Sequence, residues 1–370
     1  MIRVIISGGG TGGHVFPAIA IANAIKAKVP DAEILFIGAM GKMEMEKVPA
    51  AGYAIHGLWI SGLQRRLTRK NLSFPFKVIA SLYKASKIIG HFKPDIVIGV
   101  GGYASGPTLR AAVRKKIPTL IQEQNSYPGI TNKLLGKNVS KICVAYEGME
   151  RFFPKNKILV TGNPVRQDIL SLRDKREDGL LLFGLQHDKK VILILGGSLG
   201  AGTINRSALQ CLKKGLAGKG CQILLQTGKF YYENTIANPE ISGNPDVHAL
   251  AFIDRMDLAY ACADIVISRA GAIAISELCI TGKPSILIPS PNVSEDHQTK
   301  NAQALVNKGS AIMIKDSEAE EMLFQTLSDL LNNEKLQHLL HENIARLGVP
   351  DAADKIAEEA LRLTGKYSHT

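Results

Sequence analysis

The sequence predicts an α/β protein built from two doubly wound parallel sheets, one in each half of the chain. Three observations carry that expectation. Short apolar runs alternate with longer amphipathic ones along all 370 residues, the pattern of repeated β-α-β units. An apolar run, a glycine-rich turn and a helix-like run follow one another from Ile2 past Gly13, and again from Val191 past Ala201. The length also exceeds what one core normally fills.

In the first half, aliphatic and β-branched runs predict strands near Val4–Ser7, Ile34–Ile37, Ile96–Val100, Thr119–Gln122 and Lys141–Val144. Helical spacing covers Pro17–Ala27, Met43–Ala50, Phe76–Phe92 and Pro107–Arg114. A strand-like Ile158–Val160 runs into the turn signal Gly162-Asn163-Pro164, which sets an expected boundary between domains 1–163 and 164–347. The charged stretch Arg173–Asp178 reads as a competing boundary or a surface loop. In the second half, strands are expected near Val191–Leu195, Ile223–Gln226, Val247–Ala249, Ile265–Ser268, Ser285–Ile288 and Ala311–Ile314. Helices fit Thr203–Leu212, Leu258–Ala261, Ala272–Thr281 and Gln298–Lys308. The tail from Glu318 is helical in two or three pieces, the last, about 348–364, assigned to the first domain.

Composition narrows the function. No apolar run reaches the roughly 18 to 20 residues that a spanning helix needs. The glycines from Gly8 to Gly13 interrupt any leader-like stretch, so a cytoplasmic location is expected. Five scattered cysteines without metal-ligand spacing read as buried thiols. Residues 1–163 hold 23 Lys and Arg against 8 Asp and Glu, and from Lys47 to Pro94 nine basic residues stand without one acid. The first domain is therefore expected to meet an anionic partner.

The two glycine-rich turns bring backbone N–H groups to a ligand at the start of a helix, which suits phosphate. Gly8-x-Gly10-x-x-Gly13 fits the dinucleotide fingerprint, and Glu33 follows 20 residues after Gly13. A ribose-binding acid belongs at the far end of the second strand, however, where the chain reads Ile37-Gly38-Ala39-Met40. A nicotinamide enzyme is therefore disfavoured. No Gly-Lys-Ser/Thr closes either loop, which argues against a P-loop, and no Asp-x-Asp pair offers to hold a nucleotide's cation. Diphosphate charge is left to main-chain donors, helix dipoles and arginine.

Further motifs make the resemblance specific. They are Gly8–His14, Gly101-Gly102-Tyr103-Ala104-Ser105-Gly106-Pro107, Gln122-Glu123-Gln124-Asn125, Gly162–Arg166, Gly196–Ala201, Phe252-Ile253-Asp254, Arg269–Ala272 with Ser276-Glu277, and Asp296-His297-Gln298. In this order the chain resembles the lipid II-forming N-acetylglucosaminyltransferases of bacterial cell-wall synthesis. The resemblance implies two Rossmann-like domains of the GT-B architecture flanking a cleft, and no tightly held metal or other cofactor. It implies inverting transfer of N-acetylglucosamine from UDP-N-acetylglucosamine to the 4-hydroxyl of an undecaprenyl-pyrophosphoryl-MurNAc-pentapeptide. Gly9, Gly10, His14, Gly102 and Tyr103 would then meet the acceptor. Thr11, Gly12, Gly13, Asn125, Arg166 and Ser198 would meet the donor, with Ile253 and Met256 at the uracil. The helix start Ala272-Ile273-Ala274-Ile275-Ser276 would face its diphosphate, Glu277 its ribose and Gln298 its sugar. His14, Tyr103, Asn125 and Asn205 would stand at the reacting centre, His14 as base, its ring kept neutral by the helix N-terminus. Ala274 stands where many relatives are expected to carry Thr. Segment 65–93, with Leu72, Phe74, Phe76, Ile79, Leu82 and Tyr83 among Lys77, Lys84 and Lys87, reads either as a helix packed on the sheet or as a contact with an anionic membrane surface. Another UDP-sugar enzyme of the same architecture, such as a 2-epimerase or a different glycolipid transferase, is the rival reading. A nucleic-acid partner is not expected, since the basic segment carries no reader motif.

Overall fold

The computed structural model describes residues 1–61, 73–197, 199–217, 220–293 and 296–367. The chain divides into two compact units, Met1–Arg166 with Pro350–Thr370, and Gln167–Val349. The first division falls three residues beyond the expected one, with Arg166 lying over Phe16, and Asn163 is tied to the first unit as expected. Its Oδ1 accepts from Gln122 Nε2 at 3.0 Å and its Nδ2 donates to the Gln124 carbonyl at 3.1 Å.

The first unit runs β1 (Arg3–Ser7), α1 (Gly12–Lys28), β2 (Glu33–Ala39), α2 (Glu44–Ala50), β3 (Ala54–Leu58), α3 (Phe74–Phe92), β4 (Ile96–Gly99), α4 (Ser105–Arg114), β5 (Thr119–Glu123), α5 (Ile130–Gly136), β6 (Lys141–Val144) and β7 (Ile158–Val160). Among the described residues the strands pair in parallel in the order β3-β2-β1-β4-β5-β6-β7. Helices cover both faces, so the central strands are apolar on both sides. Along β1 the side chains alternate between two cores: Val4 and Ile6 pack with Ile21 and Ile25 of α1, and Ile5 packs with Ala85, Ile89 and Leu109 on the other face. The strand order turns back at β1 and β4. The loops after them leave to opposite faces and open a crevice at the strands' carboxyl ends.

The second unit runs α6 (Arg176–Phe183), β8 (Lys190–Leu195), α7 (Gly202–Lys213), β9 (Cys221–Gln226), α8 (Tyr232–Ile236), β10 (Val247–Leu250), α9 (Met256–Cys262), β11 (Ile265–Ser268), α10 (Ala272–Thr281), β12 (Ser285–Leu287), α11 (His297–Val306), β13 (Ile312–Met313), α12 (Ala319–Leu331) and α13 (Glu334–Ala345). Its parallel order β10-β9-β8-β11-β12-β13 reverses at β8 and β11, the counterpart of the first unit's crevice. The final helix α14 (Ala352–Leu363) belongs to the first unit and lies on α1. Ile356, Ala357, Ala360 and Leu361 are buried there, and Lys28 Nζ meets Glu358 Oε1 at 2.8 Å.

Two readings of the sequence need correction. The charged stretch Arg173–Asp178 is not simply a loop: α6 starts at Arg176, whose guanidinium donates to the Cys262 carbonyl at 2.7 Å and to Asp264 Oδ2 at 3.2 Å. Helix α1 starts five residues before Pro17, because Thr11 is extended (φ −145°) and its carbonyl accepts from His14 and Val15 N–H at 3.1 and 3.2 Å. That early start puts His14 in the first helical turn. The five cysteines are buried thiols.

Candidate active site

In the first unit the two loops of the crevice touch. Gly102 has φ +83°, and a Cβ there would run into the Gly9 carbonyl and lie 3.0 Å from the Gly9 nitrogen. The His14 ring packs over Gly101, where a Cβ would fall 2.6 Å from Nε2, so only glycine leaves the imidazole its place. The other ring nitrogen, Nδ1, lies 3.4 Å from Thr11 Oγ1. The expected depression of His14 is present: desolvation pushes its pKa from the usual 6.5 down to about 4. Thr11 and Gly13 are exposed beside it, and among the described residues no acceptor faces the N–H groups of Gly12 and Gly13. Tyr103 projects from the second loop with 48% of its surface exposed.

Gly10 departs from expectation. Its N–H does not face outward for a phosphate: it donates to Glu44 Oε2 at 2.8 Å, behind the loop. Asn125 is placed by a second carboxylate, Glu123 of the same motif. Glu123, buried at the end of β5, accepts from Asn125 N–H at 3.0 Å, Asn125 Nδ2 at 3.2 Å, Gly129 N–H at 3.1 Å and Asn132 Nδ2 at 2.8 Å. Burial nevertheless holds its carboxyl above the ordinary range. Gln124 Nε2 donates to the Val100 carbonyl at 2.8 Å and links this corner to the Gly101 loop. Arg166 belongs to this unit and not to the second: its guanidinium lies 4.9 Å from the Phe16 ring centroid on α1.

In the second unit α10 begins at the switch point, and the N–H groups of Ala272, Ile273 and Ala274 open its first turn. Ser276 Oγ bonds back to the Ala272 carbonyl at 3.0 Å, and Ile275 is core. Glu277 is 6% exposed and accepts from Tyr260 Oη on α9 at 3.1 Å. Gln298 Oε1 accepts from Ser290 N–H at 2.8 Å, which turns its amide so that Nε2 is the donor. Ile253, Met256 and Asn205 make contacts within the second unit. Ile253 and Met256 are core, and the Ile253 N–H is taken by Gln226 Oε1 at 2.9 Å. Asn205 is 4% exposed, and its Nδ2 holds the Thr227 carbonyl at 3.0 Å. Arg269 is likewise engaged, by the Ile288 and Pro289 carbonyls at 3.0 and 3.2 Å and by Asp316. Ser198 lies outside the described residues. A cavity of about 540 Å³ opens beside the edge strand β10, lined by Phe183, His248, Phe252, Ile253 and Asp254 among others.

Residues 4–144 match the Glycosyltransferase family 28 N-terminal domain, and residues 191–356 match the Glycosyltransferase family 28 C-terminal domain. The chain belongs to glycosyltransferase family 28. The family's two domains thus fall on the two sheets. A UDP-N-acetylglucosamine–N-acetylmuramyl-(pentapeptide) pyrophosphoryl-undecaprenol N-acetylglucosamine transferase of Cytophaga hutchinsonii is 56% identical over 98% of this chain and 96% of its own. The enzyme of the same name from Flavobacterium psychrophilum is 55% identical over 98% and 97%. The crystal structure of Acinetobacter baumannii MurG, 28% identical, superposes with a TM-score of 0.75 over 98% of this chain and all of that one. A UDP-N-acetylglucosamine 2-epimerase of Neisseria meningitidis shares the fold at a TM-score of 0.69 and 16% identity. The sequence relatives therefore favour transferase over the epimerase rival, which the fold alone does not separate.

Proposed function

We infer that this chain transfers N-acetylglucosamine from UDP-N-acetylglucosamine to undecaprenyl-pyrophosphoryl-MurNAc-pentapeptide, lipid I, releasing UDP and forming lipid II for peptidoglycan. The identity of more than half of its residues with transferases of that name carries the reading. The site gives it a mechanism. The acceptor diphosphate is held at the α1 N-terminus by the Gly12 and Gly13 N–H groups, and the donor diphosphate at the α10 N-terminus. Glu277, oriented by Tyr260, takes the ribose hydroxyls as hydrogen bonds, and Gln298 Nε2 donates to a sugar hydroxyl. His14, with its proton on Nδ1 toward Thr11, offers Nε2 as base to the 4-hydroxyl of MurNAc. That oxygen attacks the anomeric carbon from the face opposite UDP, the bond to the UDP oxygen breaks with its electron pair, and the configuration inverts. The growing charge on UDP is met by main-chain donors, so no cation is assigned a role. Ala274 brings no hydroxyl to that terminus, and its backbone N–H does the work.

The protein works on the cytoplasmic membrane face as a peripheral enzyme. No described helix is long and apolar enough to cross a membrane. Instead α3 leaves Phe76, Ile79 and Tyr83 exposed, with Trp59 of the same unit also exposed and Lys77 Nζ 5.6 Å from the Trp59 ring. Such a surface suits an anionic bilayer that presents the lipid-linked acceptor. Incubation with radiolabelled UDP-N-acetylglucosamine and a short-chain lipid I analogue in EDTA should move label into lipid at a rate within twofold of that with magnesium. Label found in free UDP-N-acetylmannosamine would make the chain an epimerase, and transfer only with magnesium would overturn the main-chain clamp.

A further inference from the structure

The first glycine loop closes around a carboxylate that the mechanism does not use. Glu44 opens α2, is 1% exposed, and sends its side chain under the loop. Oε2 accepts from Gly10 N–H at 2.8 Å, and Oε1 accepts from Ala39 N–H, at the end of β2, at 2.9 Å. Two glycines make the slot. A Cβ at Gly9 would collide with the carboxyl carbon and Oε1, and one at Gly38 would fall 2.5 Å from Cγ. Among the described residues no cation pairs with this carboxylate. A buried unpaired charge is costly, and it is retained here behind a loop expected to receive another anion.

We propose that Glu44 is a positioning residue for the acceptor diphosphate, an inference that rests on the acceptor reading given above. The carboxylate turns the Gly10 N–H inward and ties the loop to β2. The anion site is thereby confined to the donors that follow, at the start of α1 beside His14. A neutral amide cannot replace it, because both oxygens accept and an amide would point N–H at one of two N–H groups. Without the strut, Gly10 is free to turn outward and the loop loses the register that lays the diphosphate next to the base.

Full-length Glu44→Gln tests this by the split between the two substrates. The KM for a short-chain lipid I analogue should rise at least tenfold, while the KM for UDP-N-acetylglucosamine and the stoichiometry of UDP binding stay within twofold of the wild type. Titration with inorganic pyrophosphate, with saturating UDP blocking the donor site, should show a matching loss of affinity. A fall in kcat with both KM values unchanged would make Glu44 a purely structural residue and overturn the proposal. So would tighter pyrophosphate binding, which would make it a competing anion. If Glu44→Gln does not fold, Gly38→Ala keeps the charge and crowds Cγ: a raised acceptor KM supports the proposal, and an unchanged one overturns it. If the wild type transfers nothing to lipid I, the pyrophosphate arm still decides the role of Glu44, and only the acceptor reading fails.

Discussion

A histidine on a glycine floor, with a threonine on its other side, has its protonation set by its surroundings. The folded pKa near 4 lies below the usual 6.5, so His14 binds a proton less readily in the native state than in the unfolded chain. The neutral, proton-accepting ring therefore prevails through the physiological range and is lost only as pH falls through about 4. The kcat/KM profile should accordingly be flat near pH 6.5, with its acid limb close to pH 4, and an inflection between 6 and 7 would contradict the desolvated ring. His14→Ala should lower kcat by roughly a hundredfold or more, the usual scale for a general base, with donor KM within twofold. Survival of turnover within a few-fold would remove the base from His14. At this scale His14, Thr11, Gly101 and Gly102 were legible, because a histidine after consecutive glycines has few structural reasons to be there. Glu44 and Tyr260 were not: each lies outside the glycine loops and meets Gly10 or Glu277 only across the fold. Glu123 binds Asn125, Gly129 and Asn132 close by in the chain but carries no periodic signal of that role. Ile253 and Asn205 each hold one contact within the second unit, with Gln226 and with the Thr227 carbonyl, which their motifs do not announce.

Helix α3 shows both how far pattern carries and where it stops. Its apolar points allowed two readings, packing or membrane contact, and the structure supports the first and leaves room for the second. Ser81, Ala85 and Ile89 form a narrow buried stripe, which leaves Phe76 at 69%, Ile79 at 66% and Tyr83 at 74% exposure. Lys77 and Lys84 fold back to Ser61 Oγ and the Gly57 carbonyl at 3.0 and 2.7 Å, while Lys87 remains exposed. Residues 65–72 of the basic segment, Leu72 among them, lie outside the described residues. Inserting two such side chains into a bilayer is worth about 3 kcal/mol or more. Phe76→Ser with Tyr83→Ser should thus lower binding to vesicles containing anionic lipid by roughly a hundredfold, leaving turnover on a water-soluble acceptor within twofold. Undiminished sedimentation with the vesicles would locate membrane contact elsewhere. Long, strongly patterned elements such as β1, β8 and α10 were readable from their own residues. The edge strand β3 and the short helices α5 and α8 were not, because five to seven residues with mixed exposure carry little period, and only neighbours in the fold decide their state.

At the scale of the molecule the chain enters the second unit after Arg166 and returns to the first at Pro350, so the first unit is completed only by the last residues of the sequence. Helix α14 supplies Ile356 and Leu361, both at 0% exposure, to the core that also holds α1. Its Glu359 is held by Arg362 at 2.8 Å and approaches Lys141 of β6 at 3.9 Å. The helix carrying His14 is thus supported from a point more than three hundred residues later, by the tail helix already expected to belong to the first domain. The second unit has cores of its own, free of residues from α14. Leu361→Ala should cost the first unit about 3 kcal/mol through lost burial and the cavity left behind. For a unit of this size that corresponds to a melting transition lower by roughly 6–12 °C. UDP, which in the proposed function binds the second unit, should still raise that unit's transition by the same amount as in the wild type. Calorimetry with and without UDP separates the two. A single transition that falls as a whole, and with it the shift caused by UDP, would mean that the donor unit draws its stability from the acceptor unit and that the two cores do not melt independently.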